Sequence, residues 1–97
     1  MKLNEMCMKD ILQYCADDLQ ITKSGKAFTL IRLMHIPKHF SSRYNEEDII
    51  YSVRKLIELN YIVISEPSDF DNGWQPSTFI RDVTYEGHKY LEKFMAD

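Results

Sequence analysis

Ninety-seven residues, 44% hydrophobic and 28% charged, suffice for one core and not for two, so the chain is read as a single domain over residues 1–97. The longest apolar runs are a few residues and the N-terminus lacks the apolar stretch of a signal peptide, which argues against a membrane span and leads us to expect a cytoplasmic protein. The net charge of −3 gives no global pull toward nucleic acid, but Lys23, Lys26, Arg32, Lys38 and Arg43 stand without an acid between Leu19 and Asn45, whereas acids outnumber bases eleven to five from Glu46 to Asp97.

From Asn4 to Leu19, Met8, Ile11, Leu12, Cys15 and Leu19 recur at helical spacing with Lys9, Asp10, Asp17 and Asp18 mostly between them, which predicts a first helix with one buried stripe. Cys7 and Cys15 lie eight positions apart on it, roughly 12 Å along the axis at about 1.5 Å per residue. That distance excludes a mutual disulfide, and two small buried thiols are expected. Residues 21–26 form a polar connection in which Gly25 lacks the partner glycines of a phosphate loop.

Ala27 to Leu33 fits two patterns. Ala27, Thr29, Ile31 and Leu33 line one face of a strand, the reading preferred here, while Phe28, Leu30, Ile31 and Met34 follow a helical stripe. Pro37 is expected to exclude a regular helix across Ile36 to Phe40, leaving at most a short helical turn near His39. Without an undisturbed helix, His35 and His39 do not project together as metal ligands, and no metal or cofactor is predicted.

The stretch from Asn45 to Ser65 reads as a capped amphipathic helix turning directly into a strand. Asn45 is the N-cap, Glu46, Glu47 and Asp48 place negative charge at the positive end of the helix dipole, and Asn60 occupies a left-handed C-terminal position. Ile49, Ile50, Val53, Leu56 and Ile57 are expected inside, with Glu47, Tyr51, Arg54, Lys55 and Glu58 outside. Tyr61 to Ile64 begins a strand, Pro67 to Pro76 is a loop dense in turn residues, and Ser77 to Asp82 returns as its hairpin partner. Thr84 caps a last helix, Tyr85 to Met95, in which Gly87 costs about 1 kcal/mol against alanine and is expected to serve close packing on the sheet.

The predicted fold is α+β: three helices with a small antiparallel sheet, in the order helix, strand, helix, strand, strand, helix, as in a winged helix. Leu56 to Ile62 resembles the exit from the third helix of winged-helix regulators, and Val83-Thr-Tyr-Glu-Gly-His-Lys-Tyr-Leu91 resembles their closing motif. More narrowly, Asn45 to Glu58 together with Thr84 to Leu91 is similar to a family of short bacterial and phage proteins defined as a domain of unknown function with a Thr-aromatic-Glu-Gly-His ending. The resemblance implies the fold and a prokaryotic or phage origin, and it transfers no catalytic residue.

Winged-helix architecture leads us to expect a non-catalytic DNA-binding or regulator-like protein. Tyr51, Ser52, Arg54 and Lys55 would meet bases, and Lys38 and Arg43 phosphates of double-stranded DNA. Against this stand Glu46, Glu47 and Asp48 at the start of the recognition helix, with Glu66, Asp69 and Asp71 in the wing. The alternative is a protein-interaction module, a homodimer or a binder of another protein, in which Trp74 and Tyr51 anchor the contact. His88 has no nucleophile or second carboxylate placed beside it by the sequence, so it is read as structural rather than as an acid or base. No small-molecule substrate is suggested.

Overall fold

The computed structural model describes residues 2–19, 31–65 and 78–95. Helix α1 (Glu5–Asp18) is followed by strand β1 (Ile31–Arg32), helices α2 (His35–Phe40) and α3 (Glu46–Glu58), strands β2 (Ile62–Ile64) and β3 (Phe79–Val83), and helix α4 (Tyr85–Met95). The strands form one antiparallel sheet in the order β1-β3-β2. The architecture is α+β and winged-helix-like, with α3 leading into the β2–β3 ribbon and β1 entering from upstream.

The helix starts follow their sequence signals. Asn4 Oδ1 accepts from Cys7 N at 3.0 Å and Asn45 Oδ1 from Asp48 N at 2.8 Å, each satisfying a backbone donor that has no partner within the first helical turn. Thr84 Oγ1 accepts from Gly87 N at 3.0 Å and donates to Asn60 O at 2.6 Å, so the cap of α4 also ties down the end of α3. Asn60 is left-handed, φ 62°, as its position required.

Helix α2 corrects the expectation drawn from Pro37 and raises the number of helices among the described residues to four. Pro37 is the third residue of α2, inside the first turn, where the backbone N–H has no helical acceptor and its absence costs little. The carbonyl that the ring would crowd belongs to Leu33, which precedes the helix. Proline therefore limits where α2 can begin without forbidding it.

A second correction concerns the phase of α3. Its buried residues are Ile49, Ser52, Val53 and Leu56, whereas Ile50 is 39% exposed and Ile57 only partly covered. Ser52 faces α1 beside Cys7, and both side chains are fully buried. Small groups at this crossing allow the two helices to approach, and the wheel turns inward there by about one position relative to the apolar pattern.

The core gathers Cys7, Met8, Ile11, Leu12 and Cys15 of α1 with Leu33, Ile36 and Phe40, the inner face of α3, Ile62, Ile80 and Val83 of the sheet, and Tyr90 and Leu91 of α4. Between β2 and β3 the pairing runs Ile62 to Val83, Val63 to Asp82 and Ile64 to Ile80, so Arg81 is the extra residue of a bulge. The bulge turns both Arg81 and Asp82 to solvent while Ile80 and Val83 stay inside. The strand expected over 27–33 is present at Ile31–Arg32. Its preceding positions 27–30, the 21–26 connection, the 67–76 loop and Trp74 lie outside the described residues.

Candidate nucleic-acid or protein interface

Helix α2, the turn at residues 41–45 and helix α3 form a helix-turn-helix pair. Between them lies a cleft of about 460 Å³ lined by Pro37, Lys38, Ser41, Tyr44, Asn45, Glu46 and Ile49. Lys38 is exposed on α2, and Ser41 Oγ, donating to Lys38 O at 3.1 Å, closes the end of that helix.

Arg43 is engaged in the fold. Its guanidinium donates to Asp10 Oδ2 of α1 at 2.7 Å and lies 5.8 and 5.7 Å from the ring centroids of Phe40 and Tyr44. Tyr44 OH donates to the same carboxylate at 2.5 Å, and Lys9 Nζ stands 2.9 Å from its other oxygen. Burial alone would raise the Asp10 pKa, but the Tyr44 and Lys9 hydrogen bonds, with the charges of Lys9 and Arg43, outweigh it and hold the carboxyl below its ordinary value. In return the Asp10 bond, reinforced by burial, pushes the Tyr44 phenol up to about 12. This cluster clasps the turn before α3 to α1.

Of the four residues expected to meet bases, Ser52 is excluded by its burial; its hydroxyl lies against the Cys7 thiol. Tyr51 is half-buried, and Lys55 Nζ sits 5.3 Å from its ring centroid. Arg54 Nε and Lys55 Nζ both reach Glu58, at 3.3 and 2.9 Å. The hydrogen bond to Glu58 is the main reason the Lys55 pKa is raised, and the Lys55 bond outweighs desolvation to lower that of Glu58. The outward surface of α3 thus combines Tyr51, Ile50 and an acid-tethered Arg54 and Lys55 with exposed Glu46 and Glu47.

Among the described residues, Arg32 and Arg81 carry no acid partner within ion-pair distance. Both face solvent on the sheet, and Arg32 lies 5.6 Å from the ring centroid of Phe79, the residue directly opposite it in the ladder. Reading for a recognition helix passed over this pair. The alternation Ile31-Arg32-Leu33 marks Arg32 as outward, but the outward turn of both Arg81 and Asp82 depends on the bulge.

The remaining singled-out residues stay apart. His39 stacks on Tyr14 with ring centroids 4.2 Å apart, and His88 is exposed on α4. Among the described residues no three His, Cys, Asp or Glu side chains are grouped to hold a metal. Cys7 and Cys15 are free and buried; burial, aided by the Asp18 charge, pushes the Cys15 thiol up to about 12. No helix among the described residues is long and apolar enough to cross a membrane. Comparison of the chain with protein-family models, curated proteins and solved structures finds no match.

Proposed function

We propose that the protein is a non-catalytic, regulator-like DNA-binding protein that approaches duplex DNA with its α2–turn–α3 unit. The observation that carries this reading is helix α2: it braces α3 across a short turn while α3 keeps Tyr51, Arg54 and Lys55 on its accessible side. Lys38 contributes a phosphate contact beside the start of α3. Ser52 has no part in it. Arg43 acts by fixing the turn through Asp10.

The test is binding of a labelled random duplex at low salt, followed by anisotropy. Binding that weakens with salt and is reduced by Lys38→Glu and Tyr51→Ala supports the reading. No binding at roughly 100 µM, the weak end of non-specific affinity, removes it.

A second reading, a protein-interaction module, is favoured by the charge of the same surface. Glu46 and Glu47 are exposed at the start of α3, and its two bases are tethered to Glu58. A groove lined by phosphates repels such a helix end, whereas a basic protein surface attracts it. Retention of a purified partner by the wild type but not by Tyr51→Ala or Trp74→Ala, without duplex binding, selects this reading. Sedimentation velocity distinguishes a second copy of the chain from a different protein.

A further inference from the structure

We propose that the outward face of the sheet, where Arg32 lies over the ring of Phe79 and Arg81 follows on the same strand as that ring, binds a short stretch of single-stranded DNA. This site is separate from α3 and does not rest on the duplex reading. Arg32 and Phe79 are cross-strand partners of β1 and β3, so both project from the same face, and the guanidinium carbon lies 5.6 Å from the ring centroid. Arg81 follows two residues along β3 and is turned outward by the bulge. Val63 of β2, 38% exposed, lies on the same face opposite Asp82.

The chemistry of this face matches an unpaired strand. An aromatic ring with a guanidinium beside it gives a base a planar surface for stacking, and two arginines without acid partners among the described residues supply the charge for neighbouring phosphates. The acid nearest to them in sequence, Asp82, turns Oδ1 onto the backbone N–H of Val83 at 2.9 Å. A duplex keeps its bases stacked inside and offers nothing to the ring. An acidic peptide satisfies the arginines but leaves the aromatic floor without a planar partner. DNA is favoured over RNA because the hydroxyl beside the ring among the described residues, Ser65 Oγ, is already engaged by the Phe79 N–H at 3.0 Å rather than set out for a 2′-hydroxyl.

The experiment is fluorescence anisotropy of the full chain with a labelled oligothymidylate of about a dozen nucleotides, a length in the range of small single-strand sites. Arg32→Glu/Arg81→Glu alters only exposed side chains and is expected to weaken binding about tenfold or more. Arg32→Ala/Arg81→Ala is expected to lower the slope of log affinity against log salt by about 1.4, from about 0.7 per phosphate contact. Phe79→Ala removes the stacking surface and is expected to cost roughly 5- to 100-fold, with circular dichroism confirming the fold. Lys2→Glu, a single charge reversal at an exposed lysine ahead of α1, should bind as the wild type does. The proposal is overturned if the wild type does not bind, if the double glutamate variant binds equally well, if oligouridylate is preferred, or if polyglutamate displaces the strand as readily as unlabelled oligothymidylate. Duplex binding through α3 is judged separately on Lys38→Glu and Tyr51→Ala.

Discussion

Gly87→Ala sets two physical arguments against each other with opposite signs. Helix propensity alone says that alanine in the first turn of α4 stabilises the protein by about 1 kcal/mol. The packing says otherwise. A Cβ on residue 87 would stand 2.4 Å from the carbonyl oxygen of Tyr61 and 2.8 Å from Val83 Cγ1, with Tyr61 C at 3.2 Å. The nearest contact is about 1 Å short of ordinary van der Waals separation and involves backbone, which cannot rotate away. The same Tyr61 oxygen accepts from Thr84 N at 2.9 Å, and Thr84 Oγ1 bonds Asn60 O at 2.6 Å. Moving α4 away therefore strains the connection between its cap and the end of α3. Overpacking of this kind costs about 1–3 kcal/mol, and more where backbone must shift. Because the nearest atom is backbone, the upper part of that range applies, and after allowing for the propensity gain we expect a net loss of about 1–2 kcal/mol. For a domain of this size that lowers Tm by roughly 5–15 °C. Urea titration and thermal circular dichroism of both proteins read it directly. A Gly87→Ala protein as stable as the wild type or more so would show that α4 adapts freely and that the close approach is not what requires glycine.

The clasp around Asp10 gives a pH-dependent prediction. Its folded pKa is depressed, so its contribution to stability is present above the unfolded value near 3.9 and is lost as pH falls through the lower folded value. Asp10→Asn should flatten that part of the acid limb in urea titrations between about pH 5 and pH 2, while Tyr44→Phe, which removes the 2.5 Å bond, should cost roughly 1–3 kcal/mol at neutral pH. The Tyr44 phenol, pushed up to about 12, contributes stability below its unfolded pKa near 10 that disappears as pH rises through the folded value; Tyr44→Phe should abolish this alkaline loss. Asn60→Ala should lower stability by about 1 kcal/mol because φ is 62°, while Asn60→Gly should be neutral or slightly stabilising in the same melts. Cys7 and Cys15, both buried and with raised pKa values, should react with a thiol-specific disulfide reagent slowly in the native protein and at once in denaturant.

Legibility in the sequence followed the range over which each residue acts. The caps Asn45 and Thr84, the left-handed Asn60 and the pairing of β2 with β3 were readable because their causes lie within a few residues. Gly87 announced a close approach by being a poor helix residue, although the atoms it approaches, Tyr61 O and Val83 Cγ1, lie on other elements. Helix α2 was misjudged because the effect of Pro37 depends on its distance from the helix start, and that start is set by the end of β1 and the burial of Ile36 and Phe40. Ser52 was expected to meet bases by analogy with a recognition helix; the crossing with α1 instead takes it as a small buried residue.

The candidate surfaces divide in the same way. Lys38 on an accessible side and the acids opening α3 were visible in the order of residues. The engagement of Arg43 by Asp10, 33 positions away, and the meeting of Arg32 with Phe79 across the ladder were not. By itself the sequence determined where most helices and strands begin and end, since capping, turn geometry and hydrophobic period are set by near neighbours. Only the tertiary structure decided which cations are tethered and which side chains share a face, because those depend on distances between residues far apart in the chain.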